Sequence, residues 1–378
     1  MRTHLLSIVA LVAAGAAGGQ EGQILASFDL QLLHGAKALP IAFESLHAAA
    51  LGDRMNIVGL DEARRARHLT VDARGEVTGI GAELPLVQVT GLTACGGALV
   101  IAGVATDDRA AVLGVAADGQ VAWRADVPSG ERYQHWPRPV CAAGATWVFS
   151  MTSGAHGEMR LVQVAGGRFG APVSLALADD TDTIDVLGDA EGILVARVHA
   201  DGQRLELMRV AGARVTARID VDAVRPAAPS LARVGDAIAL AWVTAPSEPR
   251  LQWFDARLKP LGVSLALSAP MRGAVASVRL LATLDGKLAI AFRAREVVDD
   301  AGTVHNPNGT VTHRAPRHAT PLWIAAYDSK VHHLGPLRLV DADAKFYAGD
   351  WLGSVLAMAH RGRDAYLSIF ERNTRTTS

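Results

Sequence analysis

Glycine residues that open short apolar runs recur through this sequence at a nearly constant spacing. The runs begin at Gly52, Gly97, Gly144, Gly192, Gly235, Gly286 and Gly362. The first six lie 43 to 51 residues apart, whereas the last follows after 76. A second run after each of these ends in a turn, keeps nearly the same spacing and shows the same longer last step. One insertion at about 295–320, in the sixth repeat, explains both long steps.

The repeating segments are short, rich in Val, Ala, Leu and Ile, and separated by Gly, Asp and Pro, which indicates strands joined in hairpins. A period near 45 residues that holds four short strands is typical of one blade of a β-propeller. The sequence therefore predicts an all-β fold, a seven-bladed β-propeller that occupies residues 23–378 as a single domain. A six-bladed propeller and an open sandwich are the alternatives.

The end of the chain indicates how the ring closes. After Gly362 only one apolar strand and a polar tail remain, so the last blade is expected to lack two strands. The segment 24–41 resembles the hairpin 251–268, since both carry Phe-Asp, a turn and a second apolar strand. We expect the last blade to take strands from both termini, two from each, because a closed ring leaves no exposed strand edges.

The first residues have the pattern of a targeting signal. Arg2 and His4 precede a short apolar run, and Ala14-Gly15-Ala16 fits a signal-peptidase cleavage site. The run is too short for a permanent bilayer span, and no later stretch is long enough. We predict a signal peptide at 1–19, a secreted or periplasmic protein, and no membrane span in the mature chain. A buried first helix is the alternative.

Charge and cysteine content exclude several classes of protein. The 37 Lys and Arg residues balance 38 Asp and Glu, giving a net charge of −1, so we expect no nucleic-acid partner. Two cysteines are too few for a closed Cys-type zinc site. Cys95 and Cys141 end equivalent strands in consecutive repeats. Either they form a disulfide, which export permits, or they are two small buried residues.

One face of the predicted propeller carries the longer and more polar loops. Functional loops are commonly displayed in this way on a rigid scaffold, so we assign the candidate ligand-binding residues to this face and to the insertion. They are Arg132, Tyr133, His135, Trp136, Arg225, His305, His313, His318, Tyr347, Asp350 and Trp351. We expect them to surround the mouth of the central channel, with the insertion as a lid. Alternatively, the two tryptophans pack as wedges between blades.

Recognisable catalytic or cofactor motifs are absent from the sequence. It contains neither a G-x-S-x-G elbow nor a phosphate-binding G-x-x-x-x-G-K-[ST] loop. The spacing of His305, His313 and His318 matches no compact metal motif, so we expect neither a metal nor a cofactor. These features favour a monomeric, non-enzymatic module that binds a small molecule, a glycan or a protein.

The last repeat resembles a pattern found in secreted sialidase-like propellers of the BNR type. In FYAGDWLGSVLAMAHRGRDAYLSIFERNTR, at 346–375, the matching residues are Gly349, Asp350, Trp351, Gly353, Gly362 and Arg375. The resemblance implies a propeller fold and export. It also implies an alternative function, that of a sialidase-like glycoside hydrolase or lyase. The Asp-box Ser-x-Asp-x-Gly-x-Thr-Trp, typical of that family, is absent from every repeat.

Overall fold

The chain forms a ring of antiparallel β-sheets in a computed structural model. The structure describes residues 26–376 apart from 117, 128–133, 153–156, 179–182, 213, 246, 268–272, 285–286, 300–301, 306–310, 315–316, 331, 353–354 and 362–364. Within the described residues there are seven blades and no helix. The predicted seven-bladed β-propeller is confirmed.

Each of the first three blades is a four-stranded meander, numbered from the channel outward. A single strand, β1 (Ala26–Ala38), precedes them. Blade 1 contains β2 (Phe43–Leu51), β3 (Arg54–Asp61), β4 (Ala66–Val71) and β5 (Val77–Leu84). Blade 2 contains β6 (Leu86–Cys95), β7 (Ala98–Ala105), β8 (Ala110–Val115) and β9 (Val121–Asp126). Blade 3 contains β10 (Gln134–Ala142), β11 (Ala145–Thr152), β12 (Gly157–Ala165) and β13 (Arg168–Ala178).

Blades 4 to 6 follow the same order, and blade 6 is enlarged. Blade 4 contains β14 (Thr183–Asp189), β15 (Gly192–Val198), β16 (Leu205–Ala211) and β17 (Arg214–Val221). Blade 5 contains β18 (Pro226–Val234), β19 (Ala237–Thr244), β20 (Glu248–Phe254) and β21 (Leu265–Ala266). Blade 6 contains β22 (Ala274–Leu284), β23 (Lys287–Asp299), β24 (Gly302–His305), β25 (Val311–Arg314), β26 (Arg317–Ala319), β27 (Leu322–Asp328), β28 (His333–Leu334) and β29 (Arg338–Asp341).

Blade 7 closes the ring with strands from both termini. Its three inner strands are β30 (Phe346–Leu352), β31 (Val355–Arg361) and β32 (Ala365–Thr376), and β1 pairs with β32 as the outermost strand. The expected division of two strands from each terminus is therefore wrong, since the division is three and one. The run that opens at Gly362 is the third strand of its blade, because a run after Gly353 already supplies the second.

The hydrophobic core is divided among the junctions of the ring. Seven clusters of buried apolar residues occur in the described chain, and each joins two adjacent blades. The two middle strands of a blade are covered on both faces by neighbouring blades, so they read as continuous apolar runs; every residue of β15 is buried. Outer strands such as β17 alternate between exposed and half-buried residues because one face is solvated.

The innermost strands β2, β6, β10, β14, β18, β22 and β30 contact one another in this order, and β30 contacts β2 again. They all run in one direction, so the connections that lead into them lie at one end of the ring. The β23–β27 connection, which contains the hairpin β24–β25, lies at that same end because β23 runs opposite to β22. We call this end the loop-rich face, and it is where the candidate residues were assigned.

Candidate functional site

The central channel of the ring is an open cavity of about 1110 Å³, and residues from all seven innermost strands line it. This volume is sufficient for a small-molecule ligand. A wall built from seven strand edges is rigid, because each strand is fixed on its far side by the rest of its blade. The channel is therefore a preformed site.

Polar side chains on the innermost strands bond to the backbone of the next strand around the ring. Among the described residues, such hydrogen bonds occur at six of the seven junctions. In three of them the side chain donates to a carbonyl oxygen: His47 Nε2 to Val89 (3.3 Å), Thr90 Oγ1 to Pro137, and Arg138 Nη1 to Ile184 (2.8 Å). In the other three the side chain accepts from a backbone N–H: Asp185 from Leu231 (2.8 Å), Ser230 from Leu280 (3.0 Å) and Asp350 from Ala50 (2.8 Å). We call these bonds the channel clips.

The clips satisfy backbone groups at the inner edges of the blades, where no further strand can pair with them. The strands also approach one another closely. A Cβ on Gly188 would lie 1.9 Å from the Cys141 carbonyl oxygen, so only glycine fits between β10 and β14 at this level.

Cys95 and Cys141 form a disulfide that joins β6 to β10, with their Cα atoms 5.3 Å apart.

Arg279 differs from the other polar residues of the inner wall. It lies on β22, five residues before the end of that strand, as Thr90 does on β6. Its side chain is exposed to the channel and, within the described part of the chain, makes no hydrogen bond or ion pair. The junction that Arg279 would clip, between blades 6 and 7, is the one without a channel clip.

Two arginines give the middle of the channel a positive field. Arg138 donates to Ile184 and lies 3.9 Å from a carboxylate oxygen of Asp185. Burial, opposed by Asp185 and reinforced by Arg279, lowers the pKa of Arg138 from its usual high value. Burial is also the main cause that lowers the pKa of His47 to about 4, with the charge of Arg279 next and that of Arg138 smaller. His47 is therefore neutral at pH 7.

The mouth of the channel at the loop-rich face is cationic and aromatic. Arg293 donates to the Lys345 carbonyl (3.1 Å), and both residues line the channel together with Tyr347. Phe346 is an exposed aromatic residue in the same lining. Aromatic rings can stack on a planar or sugar-like ligand while the cations attract its polar groups. The mouth thus offers aromatic rings for stacking and positive charges for polar groups of a ligand.

Some of the candidate residues from the sequence fall in this channel and some do not. Tyr347 and Asp350 line it. Arg225 is exposed in the loop before β18 and has φ of 44°, and His318 is half-buried on β26, opposite Val297; neither is among the described lining residues. Asp350 serves as a channel clip.

Other candidates are described only in part. Arg132 and Tyr133 lie outside the described residues. At His135, Trp136 and Trp351 only the backbone is described. His135 and Trp136 lie in β10 beside a register shift, and Trp351 pairs with Leu356. The description is also limited to the backbone at His305 and His313, which pair with Val311 and Thr303 in the hairpin β24–β25. The lid and wedge interpretations of these residues stay predictions.

The sequence interpretation missed His47, Arg138, Asp185 and Arg279. It looked for functional residues in loops, whereas these residues lie on strands. A positional signal exists, because each of the four falls four or five residues before the end of its innermost strand. Aligning the repeats on their inner turns would have brought these residues into one column.

A second polar group has the order of a catalytic triad. His360 Nδ1 lies 3.0 Å from Asp341 Oδ2, and His360 Nε2 lies 3.0 Å from Ser368 Oγ. Burial lowers the pKa of His360, while Asp341 opposes the shift. Both His360 and Ser368 are only 2% exposed, so no substrate reaches the hydroxyl. The group ties blade 6 to blade 7 at some distance from the channel and is structural.

Within the described chain, no group of three or more His, Cys, Asp or Glu side chains is placed to hold a metal ion. Nor does any helix there have the length and apolar character needed to cross a membrane.

Solved propellers are similar to this chain in fold. A BBS1 domain, crystallised in complex with ARL6, matches with 12% identity and a TM-score of 0.56 over 92% of this chain and 99% of that one. The Dos1 propeller matches with 10% identity and a TM-score of 0.50 over 90% and 95%. No family model and no curated protein matches the sequence. At this level of identity the similarity shows the β-propeller fold alone.

Proposed function

We propose that the protein is an exported binding module that holds its ligand in the central channel, entering from the loop-rich face. The observation that carries the proposal is the inner wall itself. At six junctions the polar side chains are used in channel clips, whereas Arg279 is exposed to the channel. An exposed guanidinium that has no partner among the described residues can pair with an anionic ligand in a concave channel, which supports a ligand-binding role.

Export is supported by two features. The N-terminal segment has the pattern of a signal peptide, and Cys95–Cys141 is the kind of bond that persists in oxidising compartments. Expression of the full-length gene in a bacterial host, followed by intact-mass measurement, tests export. A mature protein from which the N-terminal 16 to 19 residues have been removed supports export, and an unprocessed cytosolic protein contradicts it.

The binding role predicts a stabilising ligand. Thermal-shift screening should identify compounds that raise the melting temperature by mass action. Deletion of 297–318 then tests the lid, since removal of a true lid should speed ligand dissociation. If compounds bind only outside the channel, as judged by unchanged affinity in channel-lining variants, the proposal is contradicted. A protein bound through the loop-rich face is a further outcome that pull-down with the purified chain would reveal.

The alternative is a glycoside hydrolase or lyase of sialidase-like geometry. It is supported by the resemblance of 346–375 to secreted sialidase-like propellers. Against it, Asp185 and Asp350 already accept hydrogen bonds from backbone amides. Turnover on a panel of glycosides would favour this alternative, and binding without turnover would favour the module.

A further inference from the structure

We propose that the channel ligand is a small dianion, a dicarboxylate or a phosphate monoester, and that Arg279 binds one of its oxyanion groups. This inference rests on the proposed function and deepens it by naming the class of ligand. It begins from the charges of the described residues that line the channel. The cations are Arg64, Arg138, Arg279, Arg293 and Lys345, and the acids are Glu44, Asp185 and Asp350. The cations exceed the acids by two.

Two of the three acidic residues of the channel are already engaged, and the third, Glu44, is exposed. Asp185 accepts from Leu231 N and lies beside Arg138, and Asp350 accepts from Ala50 N. Neither carboxylate forms an ion pair with Arg279. The guanidinium of Arg279 therefore keeps its fork of donors for a ligand, and such a fork matches the two oxygens of a carboxylate or phosphate.

The positive excess is local. The whole chain carries a net charge of −1, so the outer surface offers no general attraction for a polyanion. The concave channel wall focuses the field of Arg138 and Arg279 on the space between them. Burial is the largest cause of the low pKa of His47, about 4, and the charges of Arg279 and Arg138 lower it further because both disfavour a proton on its imidazole. The same positive field would attract a small anion into the space between Arg138 and Arg279.

The excess of positive charge in the channel indicates the charge of the ligand, and the volume of the channel limits its size. Two uncompensated positive charges match a ligand with two negative charges. Arg293 and Lys345 at the mouth and Arg279 further along β22 lie on the same channel wall, which suits a ligand with charge at both ends or a phosphate with an organic group. Phe346 and Tyr347 provide an apolar contact for that organic part.

Inorganic phosphate and succinate are the probes for the two sources of charge, each compared with sodium chloride at equal ionic strength. The wild-type chain, Arg279→Gln and Arg257→Gln are compared by thermal shift and calorimetric titration. Arg257 is exposed in the turn after β20, outside the lining of the channel, so its variant is a matched loss of one charge. Loss of the Arg279 guanidinium in Arg279→Gln should weaken the affinity for the probe about 10- to 100-fold.

The inference is supported if phosphate, succinate or both stabilise the wild type and Arg257→Gln but have little effect on Arg279→Gln. The probe that acts identifies the source of the charge. It is overturned if neither probe acts beyond the chloride control, or if all three proteins respond alike, which would show general ion effects. A neutral compound that binds the channel with equal affinity in Arg279→Gln overturns the dianion and leaves the proposed binding function intact.

Discussion

The two arginines on the channel wall have opposite environments. Arg138, on blade 3, donates to the backbone of blade 4 and lies beside Asp185, so it is part of the wall. Arg279, on blade 6, occupies a comparable position and has no partner among the described residues. The same residue type in the same column of the repeat thus has two different environments. Arg138 is bonded to the neighbouring blade, whereas Arg279 is the residue that we propose for ligand binding.

The surrounding junctions show the same contrast. Blades 2 and 3 are joined at the channel by a disulfide and by the clip from Thr90 to Pro137. Blades 6 and 7 are joined at the channel mouth by the bond from Arg293 to the Lys345 carbonyl, and farther out by the buried contact between Asp341 and His360. One junction is therefore held inside the channel by a disulfide and a clip, whereas the other has no described clip between its innermost strands. Four predictions test this contrast.

The largest effect is expected from the disulfide. Replacing both cysteines, Cys95→Ser with Cys141→Ser, should lower the free energy of unfolding by about 4 kcal/mol, because the bond closes a loop of 46 residues in the unfolded chain. Urea unfolding measures the loss, and the wild type in reductant is the control. An unchanged midpoint would show that the junction between blades 2 and 3 does not depend on the bond.

The next effect is the dependence of stability on acid. The pKa of His47 is lowered from 6.5 to about 4 in the folded chain, so the unfolded chain binds the extra proton first and stability falls as pH drops from 6.5 towards 4. His47→Asn should remove this contribution, roughly 2 kcal/mol after allowance for water in the channel. Urea unfolding at pH 7 and pH 4.5 compares the two proteins. Equal losses in both proteins would contradict a His47 pKa that burial and the nearby arginines lower.

Arg138 and Arg279 should differ in their importance for stability. Arg138→Gln removes the bond to Ile184 and leaves Asp185 without its neighbouring charge, which should cost about 1–3 kcal/mol. The double variant with Asp185→Asn should lose less than the sum of the two single losses, since the residues interact. Additive losses would contradict the pairing.

Arg279→Gln should change the free energy of unfolding by less than about 0.5 kcal/mol, because no described contact is lost. A slight gain is consistent with relief of repulsion towards Arg138. This is the smallest effect and the sharpest contrast with Arg138→Gln. A loss as large as that of Arg138 would show that Arg279 has a structural role.

The repeats made the fold predictable, whereas the channel residues were not predicted. Glycine spacing reports turn geometry, which is local, so the blade count follows from it. The division of the last blade was misjudged because two apolar runs there, after Gly353 and Gly362, both follow a glycine. The role of Arg279 depends on which carboxylates lie nearby across the ring, and a spacing within one repeat does not contain that information. Tyr347 and Asp350 were assigned to the channel because 341–351 reads as a polar loop, whereas both residues lie on the strand β30.

The most direct test of the account is the nuclear magnetic resonance signal of the Arg279 side chain. In protein labelled with ¹⁵N-arginine, the Nε–Hε signal of Arg279 is assigned by its disappearance in Arg279→Gln. We expect phosphate or succinate, at constant ionic strength, to shift this signal in a saturable way and to raise the pKa of His47. If phosphate and succinate leave the Arg279 signal where it is, and shift only the signals of other exposed arginines, the channel is not an anion site.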